Sequence, residues 1–93
     1  MQPESMYRLW DGVQVRREKF GLLFYDYRGP KLYFLPSKDL LAPDFFKGRQ
    51  TARDLVESIR TRKGLPEKMV RERVSEILEM LQAKELIHEQ SIC

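Results

Sequence analysis

The alternation of apolar and polar positions is clearest in VQVRRE, residues 13–18. Val13 and Val15 fall on one face, Gln14 and Arg16 on the other, which is the pattern of a half-buried strand. The next stretch, 20–27, is nearly all apolar and predicts a central strand buried on both faces. Arg28-Gly29-Pro30 is turn chemistry, because glycine permits positive φ and proline cannot donate to a central ladder. KLYFL, residues 31–35, makes a third strand that Pro36 closes for lack of an N–H. The pattern predicts an antiparallel meander with 20–27 in the middle and 31–35 as an edge.

Beyond Pro36 the pattern turns helical. Ser37 is a suitable N-cap for a short helix through Leu40 and Leu41, bent or delayed by Pro43 and ended at Gly48 after Phe45 and Phe46. Thr51 and Asp54 form a variant capping box for a second helix with Leu55, Val56 and Ile59 as its apolar stripe. Arg60, Arg62 and Lys63 suit the negative end of that helix, and Gly64 stops it. Pro66 opens a third helix, from Glu67 to about Lys84. Val70, Val74, Ile77 and Leu81 follow 4-3-4 spacing and form its core face, with Met69, Arg73 and Met80 together on one flank. Leu86 and Ile87 are expected to fold back onto the core.

The expected fold is therefore α+β and winged-helix-like, a three-stranded antiparallel sheet followed by three helices. Residues 1–12 read as a poorly ordered lead-in, 13–87 as a single domain and 88–93 as a tail.

Composition narrows the function. With 93 residues, 42% hydrophobic and 33% charged, the chain is an ordinary globular domain rather than a disordered or fibrous one. The start, MQPESMYRLW, has no basic stretch followed by an apolar run, so no secretory signal is expected. No stretch approaches the roughly 18 apolar residues of a membrane span. The lone cysteine, Cys93, cannot form an internal disulfide, which points to a reducing, cytoplasmic setting.

Candidate chemistry is sparse. His88 is the only histidine and reads as a surface residue. No Cys, His or carboxylate cluster has metal-ligand spacing, and no glycine-rich loop could cradle a phosphate. Asp26, inside an apolar strand, could have a raised pKa but reads better as a solvated group near the turn. A catalytic role, a cofactor and a metal are not expected.

Two binding modes remain. A sheet with three helices is the make-up of a winged helix-turn-helix, and the helix after TRKGLPE would occupy the recognition slot. Residues 67–85 carry four basic and five acidic groups, however, which suits a phosphate backbone poorly. The modest net charge of +3 gathers instead at Arg16, Arg17 and Lys19 and at Arg60, Arg62 and Lys63. DNA binding is the alternative reading, and no nucleic-acid partner is expected. The favoured reading is capture of an extended peptide by the edge strand Lys31, Leu32, Tyr33, Phe34 and Leu35, whose free N–H and C=O groups can pair with a guest strand. Met69 and Met80 would line the helix side of the groove, and Arg73 would meet a peptide carboxylate.

Within 7–41, Tyr7-Arg8-Leu9, Val13, Val15, Arg16, Phe20-Gly21, Tyr25, Leu32, Phe34-Leu35 and Ser37 form one pattern. With it the stretch closely resembles the peptide chaperones of the mycofactocin system, within the PQQ-chaperone-like group of RiPP recognition elements. It implies the winged-helix-like fold and a non-enzymatic role: binding the leader of a short ribosomally synthesised precursor peptide and presenting it to a radical SAM maturase. It implies that the leader adds as a strand beside residues 31–35 and packs on the third helix. A homodimer formed by exchange of elements is among the implied assemblies.

Overall fold

The structure, a computed structural model, describes residues 2–90. Its strands are β1 (Met6–Leu9), β2 (Val13–Glu18), β3 (Gly21–Asp26), β4 (Lys31–Leu35), β5 (Lys47–Thr51) and β6 (Ile87–Gln90). A 3-10 helix, Pro43–Phe46, precedes β5, and the α-helices are α1 (Ala52–Lys63) and α2 (Glu67–Ala83). The strands form two antiparallel sheets, ordered β2-β3-β4 and β5-β1-β6.

The β2-β3-β4 meander has the expected order and register, with Val15 opposite Phe24 and Phe24 opposite Tyr33. Its middle strand is buried on one face only. Leu22 and Phe24 are fully buried, whereas Leu23 and Tyr25 on the reverse face are half-buried. Gly21 permits the end of the meander: a Cβ there would collide with the Leu35 carbonyl oxygen.

The expectation of one sheet followed by three helices is overturned, and with it the winged-helix-like description. Among the described residues there are two α-helices and six strands. The segment meant for the first helix forms only a 3-10 turn. Its carbonyls at Asp39 and Leu40 accept hydrogen bonds from the Arg62 guanidinium, at 2.7 and 3.0 Å, rather than from helical amides. Pro43 stands in the first turn of the 3-10 helix, and Phe45 and Phe46 drop into the core, Phe46 edge-on to Phe24 at 5.5 Å. Residues 47–51 then pair with β1. The supposed lead-in supplies that strand: β1 is the middle of the second sheet, and its Tyr7 is fully buried. With two α-helices among the described residues, the three-helix support expected for a DNA-reading helix is not formed.

The helices match their capping signals. The Asp54 amide donates to Thr51 Oγ1 at 3.1 Å and the Thr51 amide to Asp54 Oδ2 at 3.2 Å, a reciprocal capping box. Gly64 ends α1 in the left-handed conformation at φ 66°. Both helices contribute to one core, through Leu55, Val56 and Ile59 on α1 and Val70, Val74, Ile77, Leu78 and Leu81 on α2. Leu86 and Ile87 do fold back onto it. Cys93 and the last part of the expected tail lie outside the described residues. No helix of the described chain is long and apolar enough to cross a membrane.

Candidate functional site

Strand β4 pairs with β3 on one side, and no strand pairs with its other side among the described residues. In an antiparallel strand, alternate residues turn their N–H and C=O groups outward, so β4 presents a row of unused backbone groups. Side chains alternate as well. Lys31, Tyr33 and Leu35 share the face of the core residues Leu22 and Phe24 on β3, and Leu32 and Phe34 lie on the reverse face with Leu23 and Tyr25.

Beside the β4 edge a cavity of about 590 Å3 opens against the end of α2. Lys31, Leu32 and Tyr33 line it from the strand, and Ala83, Lys84 and Glu85 from the helix end. The Lys84 ammonium stands over the Tyr33 ring, 4.8 Å from its centroid, a cation–π contact across the mouth. Glu85 adopts φ 58°, a left-handed conformation costly for a residue with a Cβ, and so turns the chain sharply out of α2. Arg28 closes the far wall. Its guanidinium grips Asp26 through two hydrogen bonds of 2.9 and 3.0 Å and donates to the Glu85 carbonyl at 2.6 Å. The Arg28 side-chain hydrogen bond holds the Asp26 carboxyl below its usual range, the reverse of the raised pKa that an apolar strand suggested.

A second hollow, about 190 Å3, lies at the other end of α2 and is lined by Leu40, Ile59, Leu65, Met69, Val70 and Arg73. Arg62 and Lys63 hold its outer wall: besides the Arg62 bonds to the 39–40 carbonyls, the Lys63 ammonium meets Asp39 Oδ1 at 2.7 Å. The cluster at the end of α1 thus shapes this hollow, and the Lys63 hydrogen bond lowers the Asp39 pKa.

The sequence-derived candidates thus divide. Lys31, Leu32 and Tyr33 stand together at the cavity, and Met69 and Arg73 at the second hollow. Leu35 is core, at 3% exposure, and Met80 packs half-buried against the core. Phe34 faces away from α2 on the reverse face of the sheet, 41% exposed. Lys84, Leu40 and Leu65 were missed. Lys84 continues the Met69-Arg73-Met80 flank by one more turn, a signal that helical spacing carries. Leu40 and Leu65 sit in irregular segments without a period.

Among the described residues no group of three or more His, Cys, Asp or Glu could hold a metal ion. His88 lies on β6, its ring 4.4 Å from the Trp10 ring, on the other sheet.

Comparison with known proteins gives first a class and then a family. The class is that of peptide chaperones. The chain belongs to the peptide chaperone MftB family, whose model matches residues 6–88. No curated protein and no solved structure matches it.

Proposed function

We propose that this protein is a non-enzymatic chaperone of mycofactocin biosynthesis that binds the leader of a short ribosomal precursor peptide as an added strand on β4 and presents it to a radical SAM maturase in the cytoplasm. The observation that carries the reading is the open edge of β4 running beside the cavity at the end of α2. Membership of a peptide chaperone family supports it.

Magnitudes say what such a groove must provide. Four backbone hydrogen bonds contribute roughly 4 kcal/mol. Two buried apolar side chains add about 2 kcal/mol each. Lost translational and rotational freedom opposes this by at least about 4 kcal/mol. Micromolar binding needs about 8 kcal/mol net, so edge pairing and two anchors fall short. The hollows beyond β4 must contribute as well.

The test is a calorimetric titration of the protein with the leader half of the short precursor peptide encoded beside its gene, repeated by NMR. One-to-one binding with the largest amide shifts at Lys31, Leu32, Tyr33 and Lys84 is expected. Saturable binding whose shifts fall along β2, with β4 unmoved, would overturn the strand-addition reading.

A further inference from the structure

The charges around the groove do not balance, and their imbalance describes a guest. Of the ionic groups lining the β4 cavity, Arg28 and Asp26 are committed to each other. That leaves Lys31 and Lys84 against the single carboxylate of Glu85. Neither lysine makes a direct ion pair among the described residues, although Lys31 stands opposite Asp26 across the strands and its charge helps to lower that carboxyl's pKa. Lys84 is instead held in place by the Tyr33 ring. Among the described residues the charged group lining the second hollow is Arg73, while Lys63 and Asp39 at its outer wall are paired with each other. Its nearest carboxylate, Glu76, is an exposed neighbour one helical turn on, at 3.8 Å, too loose to occupy the guanidinium. The rest of that hollow is apolar.

The two hollows also have a fixed separation. Tyr33 touches the end of α2 at Lys84, and Leu40 lines a hollow with Met69 and Arg73. Residues 33–40 therefore run alongside α2 in the opposite direction. From Arg73 to Lys84 the helix rises ~16 Å, and from Met69 to Lys84 ~22 Å, at 1.5 Å per residue. An extended peptide covers that distance in about five to seven residues.

Resting on the proposed strand addition, we infer that the groove selects an acidic peptide by a two-point reading: a carboxylate between Lys31 and Lys84, and, about six residues away on the same face of the guest strand, a bulky apolar side chain in the Leu40-Leu65-Met69 hollow, with a second carboxylate two residues nearer, beside Arg73. Among the side-chain contacts, the apolar one contributes more affinity than either carboxylate. The carboxylates fix direction and register, because a peptide laid in reverse or slipped by one residue cannot satisfy both ends.

Synthetic ten-residue peptides test this on the intact protein. Each carries one Glu and one Glu-x-Leu unit whose Leu stands four, six or eight residues along, so that all three side chains share a face of an extended strand, and a parallel set has Gln in place of Glu. Fluorescence anisotropy gives the affinity and NMR the position of the guest on β4. Affinity should peak at a spacing of about six. Replacing Leu by Ser should weaken binding about thirtyfold, and each Glu→Gln change about fivefold at low salt, the latter fading as salt rises. A Lys84→Glu variant should lose the Glu peptide and regain affinity for a peptide with Lys at that position, a reversal that a merely structural lysine would not give. Equal affinity at all spacings, or for Glu and Gln peptides, with β4 amides still shifting, would overturn the two-point reading and leave strand addition standing. Binding that leaves β4 unmoved for every peptide would overturn both.

Discussion

The two sheets are built on opposite terms. The β2-β3-β4 sheet is local in sequence, its strands joined by short turns, and it ends in an open edge and a half-exposed reverse face bearing Leu23, Tyr25, Leu32 and Phe34. The β5-β1-β6 sheet draws its strands from the start, middle and end of the described chain, and its central strand is sealed on both sides. Ser5 donates to Glu89 at 2.6 Å and Arg8 to Gln90 at 2.6 Å, bonds that span more than 80 residues. The first sheet keeps backbone groups unused, while the second joins the ends of the fold. On the proposed strand addition both are useful: a small sheet with an open edge gains its stability when the rest of the fold covers its apolar face.

The largest effect tests that anchor. Tyr7→Ala, removing the fully buried ring of β1, should destabilise by about 3–5 kcal/mol in urea melts, whereas Tyr7→Phe should be near neutral or mildly stabilising. Among the described residues the buried Tyr7 hydroxyl has at most a weak contact with the Gln2 backbone, and burial raises its pKa, so little is lost with it. Gly21→Ala attacks the other sheet. Its Cβ must push the Leu35 carbonyl away, which should cost about 1–3 kcal/mol and blur the β4 amide signals in NMR more than those of β1.

Smaller changes sharpen the contrast at the groove. Glu85→Gly relieves the left-handed strain after α2 and should raise stability by about 1 kcal/mol, read as a higher melting temperature. Asp26→Asn should lower stability at neutral pH and flatten its fall in acid. The Arg28 bonds depress the Asp26 pKa, so their stabilisation is complete above the ordinary carboxylate value and lost as pH drops through the lowered one. Urea midpoints measured from neutral to acid pH would show this difference. Phe34→Asp, on the exposed reverse face, should leave the unfolding free energy within about 0.5 kcal/mol of the parent, and Leu35→Asp, one residue on, should unfold the protein.

The same contrast explains how much of the molecule its sequence reveals. Sheet β2-β3-β4 was legible because VQVRRE and KLYFL carry their own alternation and turn residues. Both α-helices were legible from capping and stop signals at Thr51, Asp54, Gly64 and Pro66. The second sheet was hidden. MYRL and IHEQ each bury one large side chain deeply, Tyr7 and Ile87, and KGRQT buries none, so no period reports them. Their pairing is decided by partners far along the chain. At the candidate site, the edge strand and one helix flank were readable. Phe34 was assigned to the groove because strand membership alone does not say which residues face the helix. Leu40 and Leu65 were missed because irregular segments become walls only when Arg62 and the helix ends fix them.

The pairing of β1 with β6 also sets an order of events in time. Met6 opposes Gln90, so this contact cannot form until nearly all the described chain is present, and closing so long a loop is slow compared with forming a hairpin. The meander that carries the β4 edge needs only residues 13–35. On a ribosome it can assemble well before the strand that locks the core emerges. The nascent protein therefore passes through a period in which the open β4 edge exists without its anchor, and on the proposed reading an early guest strand pairing with β4 would favour the meander before the fold is complete.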